Sequence, residues 1–207
     1  DLLLEQKLGP LNEQQMGIFS LLRNSTDGLL DLIGTLLEVY RYEGGRSQLH
    51  LENVQINRVI RDCVNQLIPI AEQKGVNLTA ALSLDVDNII ADEMALKRVF
   101  MNLLDNAIKF TDRGGTVQID SELHERYVIV SVKDSGVGIS DEDLKFLYQR
   151  FGQTRSGKKV KSGTGLGLYL SRQIIEAHGG TIVCASTEGV GTTFIVCLPL
   201  SQPAAAS

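Results

Sequence analysis

The chain has 207 residues, of which 43% are hydrophobic and 22% charged, with a net charge of −5. That length allows one or two domains with a sizeable core, and the acidic balance weighs against nucleic acid as the main partner, because phosphate backbones recruit basic faces. No apolar run approaches the ~20 residues that cross a bilayer, so no membrane contact is expected. Cys63, Cys184 and Cys197 make no metal-ligand spacing, and such a scattered set suits a reducing, cytoplasmic setting.

Residues 1–8 read as the end of a helix whose apolar pattern is already under way at Asp1, which suggests a piece of a longer protein. Gly9-Pro10 breaks that helix. Asn12 caps a second one, with Gln15 as the reciprocal partner of a capping box. There Phe19, Leu22, Thr26, Leu29, Ile33, Leu36 and Tyr40 recur at alternating threes and fours. A coiled-coil seam and an ordinary amphipathic core helix share that spacing. Gly44-Gly45 ends the helix. A third helix is predicted over 57–74, with Val59, Ile60, Cys63, Val64, Leu67, Ile70 and Ala71 on its apolar face. Val76–Ser83 and 88–91 read as strands. Asp92 caps a fourth helix that runs to Phe110.

Residues 116–123 and 127–133 read as a hairpin around His124-Glu125-Arg126. A short helix is predicted over 141–149 behind Ser140, then a polar, basic loop over 152–163. A fifth helix follows at about 165–178, and strands 181–186 and 192–198 close the chain. The expected architecture is α+β: a helical hairpin, then a two-layer α/β sandwich whose mixed sheet carries helices on one face.

Three segments carry chemistry. On the fourth helix Asn102, Asn106 and Lys109 lie at i, i+4 and i+7 and share one face. An amide oxygen is a hard ligand suited to magnesium, and amide N–H and ammonium groups donate to phosphate; a solvated polar face has the same look. Asp134-Ser-Gly136-Val-Gly138-Ile139 ends a strand. Its glycines admit a ligand close to the backbone, and its carboxylate can accept from an exocyclic amine, though a plain turn would read alike. Gly163-Thr164-Gly165-Leu166-Gly167-Leu168 opens a helix, where bare N–H groups and the helix dipole favour phosphate. Its spacing fits neither the dinucleotide fingerprint nor the Walker loop.

Taken together and in this order, these segments resemble the GHKL (Bergerat-fold) ATPase superfamily, and within it the sensor histidine kinases. Asn102–Thr111 resembles the N box and Asp134–Ile139 the G1 box. Tyr148-Gln-Arg150-Phe151 resembles the F box, with tyrosine where phenylalanine is usual, and Gly163–Leu168 resembles the G2 box. Gly179-Gly180-Thr181-Ile182 and Gly191-Thr192-Thr193-Phe194 are similar to the family's last strand entries.

The resemblance implies ATP and Mg2+ as cofactors. Asp134 would take the adenine amine, and Gly136 and Gly138 would line the base pocket. Asn106 would hold magnesium beside Asn102, and Lys109 would meet the phosphates. Gly163, Gly165 and Gly167 would cradle phosphates, and Phe110, Ile139, Thr164, Leu166, Leu168 and Thr193 would be further nucleotide-binding residues. Arg150 would be a candidate for the γ-phosphate or a surface ion pair. Residues 152–162, with Arg155, Lys158, Lys159 and Lys161, would form a lid over ATP.

In the hydrolysing branches of the superfamily a glutamate stands four residues before the magnesium asparagine and acts as base on water. Here that position is Asn102, which favours transfer to a protein histidine. Residues 8–13 and 40–45 resemble the turn and second helix of a dimerisation and phosphotransfer hairpin. The implied domains are therefore a truncated hairpin over 1–45, a catalytic domain over 46–200 and a disordered tail over 201–207. The implied partners are a second copy, through the heptad helix, and a response-regulator receiver domain. His50, His124 and His178 lack the acidic and proline-bearing context of a phosphoacceptor, so they are expected to be structural or solvent-facing. This chain would then not phosphorylate itself. A hydrolysing ATPase and an inactive nucleotide-binding scaffold remain alternative readings.

Overall fold

The computed structural model describes residues 10–43, 49–86, 88–152 and 165–201, the side chain of Asn24 excepted. The chain divides into two compact units, Asp1–Tyr40 and Arg41–Ser207. The first unit is dominated by helix α1 (Glu13–Glu43). Its start is the predicted capping box: Gln15 N–H donates to Asn12 Oδ1 at 2.8 Å and Asn12 N–H to Gln15 Oε1 at 3.0 Å. Leu22, Leu29, Ile33 and Tyr40 of the heptad pattern are exposed. The predicted helix over 1–8, its Gly9 break and the Gly44-Gly45 cap lie outside the described residues.

The second unit opens with a short strand β1 (Glu52–Gln55), followed by α2 (Ile56–Lys74), β2 (Asn77–Leu82), β3 (Asn88–Ala91) and α3 (Glu93–Phe110). Strands β4 (Thr116–His124) and β5 (Tyr127–Asp134) follow, then α4 (Asp141–Leu144), α5 (Gly167–Ala177), β6 (Thr181–Thr187) and β7 (Gly191–Pro199). β1 pairs with β3 in a small antiparallel sheet, and the main sheet runs β2-β4-β5-β7-β6. β2 lies parallel to β4, and the other three pairings are antiparallel. The expected mixed sheet is thus present.

Alternation along the strands decides where the core sits. Val117 and Ile119 on β4, Val128, Val130 and Val132 on β5, and Phe194, Val196 and Leu198 on β7 are all buried. α2, α3 and α5 bury Ile60, Leu67, Leu96, Phe100, Leu103, Leu104, Leu170 and Ile174, and each of these helices packs on the main sheet. Cys63 is buried, and Cys184 and Cys197 are half-buried. Burial pushes the Cys63 thiol up to about 11 and the Cys184 thiol up to about 12, so both stay protonated at neutral pH.

Three expectations need correction. β1 was not anticipated, because its four residues hold a single buried side chain, Val54, and so no period. Ile70 is exposed rather than on the buried face of α2, where it follows Pro69. The helix expected over 141–149 ends at Leu144. Beyond it Phe146, Leu147, Gln149 and Gly152 each donate to a carbonyl only three residues back, the tighter turn geometry.

α3 is tied down at both ends. At its start Asp92 Oδ1 accepts from Ala95 N–H at 3.0 Å. The Asp92 N–H itself donates to His178 Nε2 at 3.0 Å, while His178 Nδ1 meets Ile174 O at 2.7 Å. A carbonyl can only accept, so Nδ1 carries the proton and Nε2 the lone pair. At the other end Lys74 Nζ donates to Ile108 O at 2.8 Å and also to Lys109 O, placing a cation at the negative end of the helix dipole.

His178 is fully buried. Burial holds its imidazole below the ordinary range, against the pull of the Ile174 carbonyl and Asp92. The unfolded chain therefore takes up the proton first as pH falls. His178 should contribute a stability that is complete above about pH 6.5 and shrinks below it, by at most ~1.4 kcal/mol per pH unit. Denaturant midpoints for wild type and His178→Gln between pH 7.5 and 5 check this: the wild type should lose more. Parallel pH curves would mean that the protonated ring is accommodated.

Candidate functional site

On β5, β7 and β6 the inward face is apolar until its last row, where three polar side chains stand together. Asp134 on β5 pairs with Thr192 on β7, and Thr192 with Ser186 on β6. Asp134 Oδ1 accepts from Gly136 N–H at 2.8 Å and from Thr192 N–H at 3.3 Å. Ser186 and Thr192 join their hydroxyls at 2.9 Å. Asp134 is only 7% exposed. Burial pushes its carboxyl above the ordinary range, and the two N–H groups pull it back only in part. Oδ2, which takes neither of these hydrogen bonds, remains as a strong acceptor at the edge of the core.

The loop that follows is braced on both sides. Val137 N–H donates to Phe110 O at 3.1 Å, and Gly189 N–H donates to Val137 O at 2.8 Å. Ile139 N–H reaches Ser186 Oγ at 2.8 Å. Gly138 has a φ of +66°, and a Cβ there would lie 2.0 Å from Thr187 O. The loop therefore joins the end of α3 to the β6–β7 turn, and no larger residue fits at 138.

On α3 two residues of the expected stripe, Asn102 and Asn106, are joined by a hydrogen bond and continue to α5. Asn106 Nδ2 donates to Asn102 Oδ1 at 3.3 Å, and Asn102 Nδ2 donates to Ser171 Oγ on α5 at 2.9 Å. A Cβ at Gly167 would lie 2.3 Å from Asn102 Oδ1, so the first turn of α5 sits directly against the asparagine. Lys109 lies 5.0 Å from the centroid of the Phe110 ring. Burial lowers its pKa, Asp105 opposes that, and Lys74 adds to it.

The remaining predicted residues are placed as follows. Gly136 packs on Phe110 O, and Gly165 takes a left-handed turn against Phe151. Leu166 is a fully buried core residue and Leu168 is half-buried. Thr193 pairs with Lys133; alternation puts it on the sheet face away from Asp134, and Thr192 occupies the position expected of it. Arg150 pairs with Glu43, whose carboxylate also accepts from the Tyr169 hydroxyl. Its guanidinium lies 5.5 Å from the Tyr169 ring centroid. The Tyr148 hydroxyl is buried without a hydrogen-bond partner among the described residues, with Arg172 over its ring, and burial raises its pKa. Lys161, Gly163, Thr164 and the rest of the predicted lid lie outside the described residues. Sequence reasoning missed Ser171, Ser186 and Lys74. None stands in a motif, and only tertiary packing brings them to the site.

The profile of the histidine kinase-, DNA gyrase B- and HSP90-like ATPases matches residues 91–202, a stretch that begins at the last residue of β3 and holds α3, the β5 end and α5. The chain belongs to this ATPase family. An uncharacterized sensor-like histidine kinase of Rhizobium meliloti is 38% identical over 100% of this chain and 40% of its own length. The circadian input-output histidine kinase CikA of Thermosynechococcus vestitus is 37% identical over 97% of this chain and 28% of its own. The chain thus spans less than half the length of these relatives. The crystal structure of full-length ShkA in complex with AMPPNP superposes with a TM-score of 0.82 at 28% identity, covering 98% of this chain and 42% of that one.

In a family of ATPases the orientation of Asn106 takes on meaning. Its Nδ2 is committed to Asn102, so the atom it can offer outward is Oδ1, an oxygen of the kind magnesium takes. No group of three or more His, Cys, Asp or Glu that could hold a metal occurs among the described residues.

The bracing of the G1 loop predicts that Gly138→Ala costs about 2 kcal/mol or more of stability, since both the positive φ and the Thr187 carbonyl oppose a Cβ. Urea unfolding measures it. A loss below about 0.5 kcal/mol would show that the loop shifts freely and is not a rigid wall.

Proposed function

We propose that this chain is the ATP-binding catalytic domain of a sensor histidine kinase, which passes the γ-phosphoryl group to a histidine that these 207 residues do not supply. The relay would continue to an aspartate of a response-regulator receiver domain. Residues 46–200 form the catalytic domain in this reading, and residues 1–45 belong to the dimerisation and phosphotransfer hairpin. The exposed apolar face of α1 self-associates, and the protein works in the cytoplasm.

One observation carries the choice between branches of the family. The residue four before Asn106 is Asn102, and its amide is spent on Ser171 and Asn106. An amide takes no proton near neutral pH, so no base stands there to activate water. What the site retains is positioning and charge, which phosphoryl transfer chiefly needs. Asp134 accepts from the adenine amine through Oδ2. Asn106 Oδ1 would hold magnesium, which would supply positive charge to offset that of the phosphates. Lys109, partly stripped of water, donates to phosphate oxygens, and the N–H groups at the start of α5 receive them. As the acceptor nitrogen bonds to the γ-phosphorus, the bond to the bridging oxygen breaks and ADP leaves. The kinase relatives and the likeness to a nucleotide-bound kinase support this reading.

Nucleotide binding tests it. Asp134→Asn should weaken ATP at least tenfold, roughly one charge-assisted hydrogen bond. Its melting temperature without nucleotide should not fall. The carboxyl is held above its unfolded value, so its ionised form lowers stability as pH rises through the folded pKa, and the amide removes that cost. Unchanged affinity would remove the adenine role. Thr192→Ala should weaken binding and Thr193→Ala should not, as the register requires. An added acceptor hairpin should be phosphorylated while phosphate release stays slow; rapid multiple turnover would revive the hydrolysing reading.

A further inference from the structure

Asn102 and Asn106 form a row of two amides that ends on a hydroxyl. Each amide has an oxygen end and a nitrogen end of nearly equal shape, so the row can be built with either polarity. In this structure both amides donate toward α5: Asn106 Nδ2 to Asn102 Oδ1 at 3.3 Å, and Asn102 Nδ2 to Ser171 Oγ at 2.9 Å. The outward end is then the Asn106 oxygen. With the row reversed, Asn106 would accept from Asn102 and turn its NH2 outward. That end repels a cation and cannot ligate one.

The row is set by what receives its inner end. Ser171 is 2% exposed, so little water can replace it. Gly167 lies one turn before Ser171 on the same face of α5. A Cβ there would come within 2.3 Å of Asn102 Oδ1, so the two α5 residues together seat the Asn102 amide. We infer that Ser171 is a positioning residue: it accepts from Asn102 and so orients the Asn106 amide with its oxygen toward the metal ion of a bound nucleotide. This rests on the proposed Mg-ATP site and assigns it a residue that lies outside every motif.

The test is ADP affinity by calorimetry, with saturating magnesium and with EDTA, for wild type, Ser171→Ala, Ser171→Thr and Ser171→Val. Magnesium should tighten binding to the wild type. Ser171→Ala should lose most of that gain, roughly tenfold in affinity, the effect of one net hydrogen bond. Its affinity in EDTA should stay within about twofold of wild type, because no contact with base or phosphate is touched. Thr and Val have nearly the same shape, so only the hydroxyl separates them: Thr should keep the magnesium gain and Val should lose it. If the larger pair fails to fold, Ala carries the comparison. A full magnesium gain in Ser171→Ala overturns the inference and leaves the nucleotide site standing. A wild type that binds ADP with no magnesium gain removes Asn106 as the ligand, and this inference with it.

Discussion

A buried carboxylate is an expensive thing to fold around, and Asp134 is one, with no cation beside it among the described residues. Much of the local structure follows from satisfying it. Two N–H groups must converge on Oδ1, which requires β7 to lie next to β5 in the register that puts Thr192 opposite Asp134. The chain must also turn sharply at Gly136, whose missing Cβ leaves room for Phe110 O. That turn brings the loop against the end of α3. The same hydrogen bonds that make the carboxylate tolerable therefore set the Asp134 turn beside the helix that carries Asn106 and Lys109. A ligand donor at Oδ2 would complete what the fold leaves half done.

α3 is the second element on which the site depends, and it is fixed by side chains from three directions. His178 receives its first N–H region, Ser171 receives its middle, and Lys74 closes its end. Each of these bonds is modest alone. Together they leave little freedom to rotate or slide, and rotation would turn the face shared by Asn102, Asn106 and Lys109 to another direction. Lys74 has an electrostatic effect as well. It stabilises the helix end while making the Lys109 ammonium less comfortable, a strain that a polyanion relieves.

The strands and helices were legible in the sequence because their apolar periods are long: eight or nine residues in β4, β5 and β7, and eighteen or more in α2 and α3. β1 was not, since four residues with one buried position cannot show a period. The site was legible where chemistry runs locally along the chain, as in the Asn102–Lys109 stripe and the turn after Asp134. It was not legible where chemistry is made by register. Thr192 and Thr193 are adjacent and identical, and only the strand alternation says which one meets Asp134. Ser171 and His178 look like ordinary helix residues until α5 is laid against α3.

Arg150 shows the same limit from the other side. The sequence allows it either a γ-phosphate or an ion pair, and the structure gives it the ion pair, with Glu43 shared by the Tyr169 hydroxyl. Only one nitrogen of the guanidinium is shown on Glu43, and a full two-pronged grip on a phosphate would compete with that pair. Exchange between them is nonetheless inexpensive: the Arg150 side chain is 43% exposed, and an exposed pair of this kind contributes little net stability. A phosphate offers the same planar fork a doubly charged partner. Whether Arg150 serves the nucleotide thus depends less on its own energetics than on what holds Glu43 in place. Tyr169, on the same helix as Ser171 and directly after the G2 box, bonds to that carboxylate, so the helix proposed to receive phosphate also touches the anion that would have to yield.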